Sequence, residues 1–261
     1  MTRVPFWALV LSGSVLLGCS GETRVTLLAP IVGDAATSTP RSASHLIHRY
    51  SFDGEGTRVV DSVGAAHGSL ENGAVLDGAG HATLDGVDDY VDLPNGLLSG
   101  LTDATLVAWL AWNGGPCWQR VFDFGSSDAG EGVVGNATSS LFVTPKGCPG
   151  PGPSTAFETT AVLGSVDSDT PFPVLQTAVI AVVSDTTRQE LRLYAAGAPL
   201  GTGKAEPLAL LSDDNDWLGR SQWVQDLYMS GMYDEFRIYD QALSNADLAA
   251  LETAGPDALV R

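Results

Sequence analysis

The chain is poor in positive charge: its 261 residues include 13 lysines and arginines against 31 aspartates and glutamates, and its formal net charge is −18. A protein that binds nucleic acid needs a positive field to meet the phosphates, so this balance excludes that class of partner. Acidity with few basic residues suits calcium or neutral sugars as ligands, although a solvated acidic surface gives the same composition.

Residues that commonly build metal and catalytic sites are also scarce. The chain has only four histidines and three cysteines, and it has no Cys-x-x-Cys pair. The Gly-x-Ser-x-Gly, His-Glu-x-x-His and P-loop patterns are absent. Zinc, thiol redox and the common hydrolase chemistries are therefore disfavoured.

Long apolar runs are absent, and the one notable apolar stretch is short. Arg3 precedes Phe6 to Leu17, about 12 residues, whereas a membrane-spanning helix needs roughly 20. This pattern is typical of a signal peptide, which we assign to residues 1–18.

The end of that stretch carries a second signal. Leu16-Leu17-Gly18-Cys19 resembles the lipobox of bacterial lipoproteins, in which the cysteine becomes the acylated N-terminus. Ser20 resembles the sorting pattern of outer-membrane lipoproteins. We therefore expect a lipid-anchored, extracytoplasmic protein of the cell envelope, with Cys19 as the lipidation site. The alternative is ordinary secretion, in which Cys19 is incidental.

Export also bears on the two remaining cysteines. In an oxidising compartment Cys117 and Cys148 are most simply a disulfide. No histidine lies within about twenty residues of either cysteine, which makes a metal role for the pair less favoured.

Residues 19–45 and the rest of the chain differ in pattern. Residues 19–45 are rich in Ser, Thr, Ala and Pro and predict a flexible tether. From His48 onward, short β-branched and aromatic runs alternate with Gly, Asp, Asn and Pro turns, which predicts a β-sandwich. The candidate strands are His48–Phe52, Ala74–Asp77, Ala82–Asp85, Tyr90–Leu93, Ala104–Trp112, Arg120–Phe124, Ser140–Thr144, Ala156–Ala161, Gln176–Val183, Glu190–Ala195, Trp217–Gly219 and Gly231–Tyr239.

Two elements can be described in more detail. Ala104–Trp112 is apolar on both sides and should be central in its sheet. In Gly231–Tyr239, period-2 alternation places Met232, Asp234, Phe236 and Ile238 on one face and leaves Glu235 and Arg237 to pair on the other. A short helix should follow a Ser244 cap and end at Gly255-Pro256.

Three segments in register resemble the laminin-G-like domains of the concanavalin A-like lectin/glucanase superfamily. They are Tyr50-Ser-Phe-Asp-Gly54 with Val60-Asp-Ser-Val-Gly64, Gly86-Val-Asp-Asp-Tyr-Val-Asp-Leu-Pro94 leading into Leu101–Trp109, and Trp217-Leu-Gly-Arg-Ser221 with Gly231–Ser244. The resemblance implies an all-β, two-sheet antiparallel jelly-roll sandwich over residues 46–253, with one short C-terminal helix and a tail at 254–261.

Jelly-rolls of this kind often bind calcium, and the resemblance implies Asp53, Asp61 and Asp234 as ligands, with Asp88 and Asp89 as a second possibility. Asp213-Asp214-Asn215-Asp216 is a denser acidic run, which we interpret as a solvated turn.

Catalysis is the less favoured reading of this fold. Sandwich hydrolases of the superfamily place their carboxylates in a Glu-x-Asp-x-x-Glu strand motif, which this chain lacks. Asp234 and Glu235 are adjacent and should point to opposite faces, so they cannot form the catalytic pair alone.

Aromatic side chains near strand ends suggest binding. Sugar rings present C–H faces that stack on aromatic rings, and Trp118 and Trp223 are the tryptophans most expected to be exposed. Core packing is the alternative for each of them. The preferred hypothesis is a non-enzymatic module that binds carbohydrate, with or without calcium, or a surface protein. A structural or adhesive envelope protein is the alternative, and a glycoside hydrolase is the remote one.

Overall fold

The computed structural model describes residues 45–148, 150–160 and 162–259. The predicted signal peptide, the predicted lipidation site at Cys19 and the predicted tether up to residue 44 lie outside these ranges. Within them, no helix is long and apolar enough to cross a membrane.

The described chain is built almost entirely from β-strands, all paired antiparallel within two sheets. The strands are β1 Leu46–Tyr50, β2 Arg58–Val59, β3 Gly68–Glu71, β4 Val75–Leu76, β5 Ala82–Asp85, β6 Tyr90–Leu93, β7 Ala104–Trp112, β8 Phe122–Ser127, β9 Ala137–Thr144, β10 Ser154–Thr159, β11 Leu163–Asp167, β12 Thr177–Asp185, β13 Glu190–Ala195, β14 Ala198–Lys204, β15 Asn215–Leu218 and β16 Ser230–Tyr239.

The first sheet has the order β14-β13-β12-β7-β16-β5-β4, and β1 also pairs with β16. The second sheet has the order β11-β10-β9-β8-β15-β6-β3-β2. Because neighbours in these sheets are often distant in sequence, the chain crosses repeatedly between the two layers. This arrangement confirms the predicted two-sheet antiparallel sandwich.

The core lies between the sheets and is formed by alternate residues of the facing strands. Leu106, Ile180 and Phe236 contribute from the first sheet, and Phe122 and Leu141 from the second. Period-2 alternation therefore turns the intervening residues of the second sheet to its outer face. On that outer face the candidate site is built.

Strand β7 is central in the first sheet and apolar on both sides, as predicted. Its second apolar side is covered by α1, Asn245–Ala254, whose Leu248 and Leu251 join a separate apolar cluster with Val107 and Trp109. Ser244 caps α1 in a capping box, so the helix predicted from local signals is confirmed.

The alternation predicted for β16 is wrong at one point. Tyr233 pairs with Leu110 and Glu235 pairs with Trp109, so Asp234 is the extra residue of a β-bulge. The bulge places Tyr233 in the core with Phe236 and Ile238 and leaves Met232 half-buried outside that cluster. Asp234 therefore does not share the core face of Phe236 and Ile238, as the alternation had predicted.

Two glycines allow the edges of the sheets to approach closely. A Cβ added at Gly164 on β11 would lie 1.8 Å from the carbonyl oxygen of Lys204 on β14, and one at Gly203 would lie 2.2 Å from that of Ser165. Side chains at these positions are therefore excluded, and glycine here serves packing between the layers.

Candidate functional site

The Cys117–Cys148 disulfide holds the first side of the candidate site. The two cysteines have Cα atoms 5.8 Å apart, and the predicted pairing is present. Trp118 follows with a φ of 71°, which bulky residues rarely adopt. Its amide donates to the Lys146 carbonyl at 3.0 Å and its own carbonyl accepts from Arg120 at 2.7 Å. The disulfide and these bonds together hold the backbone that carries the indole.

The second side comes from the segment between β15 and β16. The amides of Gly135 and Val224 bond the carbonyls of Gln222 and Gly135, both at 2.9 Å, and so tie this segment to the β8–β9 connection. Trp223, between these bonds, is thereby held at the edge of the site.

Trp118 and Trp223 line the same recess, of about 330 Å³. Phe142 of β9 forms its floor and meets both indoles edge-on, at ring-centre distances of 6.4 Å and 5.7 Å. The complete lining is Trp118, Arg120, Phe142, Glu158, Trp223, Gln225 and Asp226. Both tryptophans are half-buried, so neither is simply a core residue.

Strand register explains why this recess lies outside the sandwich. Leu141 and Val143 point into the core, so Phe142 between them points outward. In the ladder Phe142 is opposite Asp123 of β8, which faces outward for the same reason. The recess is therefore carried by the outer face of the second sheet.

Arg120 occupies the centre of the aromatic group. Its guanidinium carbon lies 4.0 Å from the ring centre of Phe142 and 5.1 Å from that of Trp223. Its nitrogens donate to Asp123 at 3.2 Å and to Asp226 at 2.8 Å. Arg120 is only 2% exposed, so it supports the recess from beneath.

Burial raises the pKa of Asp123 to about 7, against the opposing effect of the Arg120 charge. Burial also raises the pKa of Asp226, again opposed by Arg120. The Asp123 carboxylate accepts the Gln222 amide at 3.0 Å, and the Ser221 hydroxyl donates to Asp226 at 2.9 Å. The same carboxylates therefore hold both Arg120 and the segment that carries Trp223.

Two polar side chains at the rim differ from these. Within the part of the chain that the structure describes, the side chains of Glu158 and Gln225 have no hydrogen-bond or ion-pair partner. Glu158 is half-buried and Gln225 is exposed. The recess thus offers aromatic faces together with one free carboxylate and one free amide.

The sequence predicted Trp118 and Trp223 as candidate binding residues, and the structure brings both to one recess. The residues between them were not predicted. Phe142 could have been placed by alternation within Ser140–Thr144, a predicted strand. Arg120, Glu158, Gln225 and Asp226 carried no local signal, because the pairing of distant strands and the β15–β16 connection bring them together.

The fit of Asp61 to a calcium ion is poor. Its two oxygens already accept the amides of Arg49, Val63, Gly64 and Ala66 and the ring of His48, at 2.7–3.1 Å. Burial alone would raise its pKa, but the bonds from His48 and the amides outweigh it and lower the pKa to about 2. Asp61 therefore stabilises the conformation of its own loop by accepting these hydrogen bonds.

Asp53 and Asp234 do lie near each other. Burial raises the pKa of Asp234, and the charges of Asp257 and Asp53 raise it further, against the opposing charge of His81. A divalent cation would relieve this repulsion. Among the described residues, however, the set of three closely spaced acidic groups is Asp85, Asp88 and Asp89 and does not include this pair.

The second predicted acidic pair also has a companion. Asp88 and Asp89 lie with Asp85 so that one carboxylate oxygen of each is within 4.8 Å of the others. The Asp85 and Asp89 carboxylates accept the amides of Val87 and Asp85, respectively, which is ordinary turn structure.

The run at residues 213–216 is not a solvated turn, contrary to the prediction. Asp213 and Asp216 are 4% and 0% exposed. Asp213 accepts the amides of Leu98 and Ser99, and Asp216 accepts that of Leu97. These carboxylates hold the β6–β7 connection against the sandwich, which local sequence could not indicate.

Glu235, the neighbour of Asp234, is 1% exposed and paired with both Arg49 and Arg237. The predicted Glu235–Arg237 pair is therefore present. A carboxylate held by two arginines has a structural role, and we assign it no catalytic one.

Several solved structures share this fold. Domain 4 of AbnA, a GH43 extracellular arabinanase from Geobacillus stearothermophilus solved with arabinotriose, has a TM-score of 0.64 and 20% identity, covering 80% of this chain and 98% of that one. The binding domain of botulinum neurotoxin serotype D has a TM-score of 0.60 and 13% identity, with 82% and 52% covered. The CBM40 of Ruminococcus gnavus IT-sialidase, bound to α2,3-sialyllactose, has a TM-score of 0.52 and 16% identity, with 66% and 96% covered. This chain thus spans about half of the toxin domain.

At these identities the likeness shows the fold alone. No curated protein matches the chain in sequence. A laminin-G-like family model, described as the concanavalin A-like lectin/glucanases superfamily, matches residues 85–249, and the chain belongs to this superfamily.

Proposed function

We propose that this protein is a non-catalytic, lipid-anchored recognition module that binds carbohydrate at the recess between Trp118 and Trp223. The observation that carries the proposal is the recess itself. Three aromatic side chains converge on about 330 Å³ of open space, beside the side chains of Glu158 and Gln225, which have no partner within the described ranges.

The chemistry of the recess suits a sugar ring. Indole faces pack against the apolar C–H groups of a pyranose or furanose, and a carboxylate and an amide beside them can bond its hydroxyls. Because hydrogen bonds and the disulfide already hold the backbone beside both indoles, little ordering of the backbone is needed on binding.

Relatives in structure support the same class of ligand. The arabinanase domain was solved with arabinotriose and the CBM40 with sialyllactose. The first is a domain of an arabinanase and the second a domain of a sialidase, and this chain covers almost all of each.

The proposal of a non-catalytic role rests on the carboxylates. Retaining glycosidases need two carboxyl groups about 5.5 Å apart that face the substrate. In the recess, Asp226 is engaged by Arg120 and Ser221 and only Glu158 is free. A single free carboxylate favours binding over hydrolysis.

Calcium and the lipid anchor belong to the proposal on separate grounds. Asp53 and Asp234 are the residues that would hold a calcium ion, away from the recess. Cys19, in its lipobox-like sequence, would carry the lipid, with residues 19–45 as the tether and the domain outside the cytoplasm, at the outer membrane.

The function is tested by screening the full-length protein, purified in detergent, on a glycan array in calcium and again in chelator. We expect glycan binding by the wild type and its loss in Trp223→Ala. Val224→Ala, which changes an exposed neighbour outside the recess, is the matched control and should bind as the wild type does. Silence of the wild type across the array would refute carbohydrate binding and favour a protein partner or a structural role.

The anchor is tested by metabolic labelling with an alkyne fatty acid in a bacterial host. Labelled protein is expected in the outer-membrane fraction, and Cys19→Ser should abolish the label. Unlabelled, freely secreted wild-type protein would establish ordinary secretion instead.

A further inference from the structure

We propose that the recess selects uncharged sugars and discriminates against sugars that carry a carboxylate. This inference rests on the proposed function, since it names the ligand class of the same site. It is carried by the lining, in which the protein's own groups engage Arg120 while the carboxylate of Glu158 has no partner among the described residues.

The arginine of the recess is not available to an acidic ligand. Proteins that recognise a carboxylate commonly offer an arginine fork that forms two parallel bonds to it. Arg120 donates instead to Asp123, to Asp226 and to the Trp118 carbonyl, and it is 2% exposed. Its donors are therefore already taken up by two acidic side chains and a carbonyl of the protein.

No other cation lines the recess to replace it. Among the lining residues that the structure describes, Arg120 is the sole basic side chain, and Glu158 and Asp226 are acidic. Acidic side chains thus outnumber the one arginine of the lining, and the chain as a whole carries a formal charge of −18. A ligand carboxylate would thus meet repulsion from the site and from the surface around it.

A neutral sugar, in contrast, can use the same groups. A carboxylate accepts hydrogen bonds from hydroxyls, and an amide both donates and accepts. Glu158 and Gln225 are unpartnered in the described parts of the chain, so a polyhydroxylated ring would complete their bonding while its C–H faces pack on the indoles. Both polar side chains can therefore bond the hydroxyl groups of an uncharged sugar.

The expected discrimination follows from Coulomb's law. A ligand carboxylate about 6 Å from Glu158, at an effective dielectric constant of about 40, should bind about tenfold more weakly than the same ligand without the charge. Salt screens this repulsion, so the discrimination should shrink as ionic strength rises.

The test compares ligands that differ only in charge. Full-length protein in detergent is titrated with α-1,4-trigalacturonate and with its methyl ester, and with 3′-sialyllactose and with its methyl ester, while arabinotriose serves as a further neutral probe. Each pair is measured at low and high salt. We expect the neutral member to bind at least tenfold more tightly, and we expect Glu158→Gln to narrow that ratio about tenfold.

The outcomes separate the two proposals. Preference for the acidic members, lost in Trp223→Ala, would keep the carbohydrate site and overturn the selectivity. Equal binding within each pair at low salt would also overturn it. If no probe and no array glycan binds the wild type, both proposals fail. Val224→Ala is the control, and it should reproduce the wild-type ratios.

Discussion

Replacing Asp123 tests whether a titrating carboxyl group is buried beneath the recess. Asp123 is fully buried beneath Arg120 and accepts that side chain and the Gln222 amide on one oxygen. Its other oxygen has no hydrogen-bond partner in the described ranges. Burial, opposed by Arg120, raises its pKa from 3.8 to about 7.

The direction of the pH effect follows from proton linkage. Between about pH 4 and pH 7 the folded protein holds a proton on Asp123 that the unfolded chain has lost. The free energy of unfolding therefore falls as the pH rises through this window, since the folded state binds more protons. A difference of about 3 pKa units corresponds to about 4 kcal/mol, of which about 3 kcal/mol falls between pH 5 and pH 8.

Asp123→Asn removes the charge and keeps the shape. Urea unfolding of the wild type and the variant at pH 5 and pH 8 measures the effect. We expect the decrease in unfolding free energy between these pH values to be about 3 kcal/mol smaller in the variant than in the wild type. The exposed Asp169→Asn is the matched control and should leave the wild-type decrease unchanged. A variant that keeps the full decrease would refute the burial of a titrating carboxyl beneath Arg120.

Three further measurements test other parts of the molecule. Replacing Cys117 and Cys148 by serine opens a loop with a sequence separation of 31, which should cost about 4 kcal/mol of unfolding free energy in the chain-entropy model; an unchanged urea midpoint would contradict the disulfide. Asp61→Asn should lower the unfolding free energy by about 2 kcal/mol at pH 7, because the pKa of Asp61 is lowered to about 2 in the folded protein. This loss should shrink below about pH 4, and a loss independent of pH would contradict the lowered pKa. Calcium should raise the melting temperature of the wild type relative to chelator and should not do so in Asp53→Asn/Asp234→Asn; equal melting in both media would remove calcium from the proposed function.

Local sequence signals were sufficient wherever the structure is determined locally. The apolar run of β7 indicated a central strand, and Ser244 with Gly255 bounded α1, because capping and hydrophobic period depend on neighbours in sequence. The fold class followed from these signals together with three family-like segments in register.

Long-range pairing decided what could not be predicted. The bulge at Asp234 is set by the register of β16 against β7, and one extra residue turns Tyr233 into the core. Strands β11 and β14 went unpredicted because glycines that permit close contact of the sheets, Gly164 and Gly203, dilute the strand pattern.

The candidate site shows the same division. Trp118 and Trp223 were predicted as candidate binding residues from local features. Trp118 follows Cys117, and Trp223 lies between two glutamines, Gln222 and Gln225. Their convergence was not visible, since β7–β8 and β15–β16 connections meet only in the folded sheet. Phe142 lies between them because β9 pairs with β8. A candidate site made from distant loops is thus the part of the molecule that is hardest to predict from the sequence.

The acidity of the chain also acquires a physical explanation. Asp61 and Asp213 are buried acceptors of backbone amides, and Asp123 and Glu235 are buried partners of arginines. Such carboxylates hold loops in one conformation, because an unpaired amide or guanidinium there would be costly. For the proposed sugar ligands, a recess whose walls are held in this way should change little on binding. Differences in affinity should then come from contacts and charge at Trp118, Trp223 and Glu158 rather than from ordering of the protein. For this reason, pairs of ligands that differ in charge but not in sugar structure test the proposed selectivity better than comparisons among unrelated glycans do.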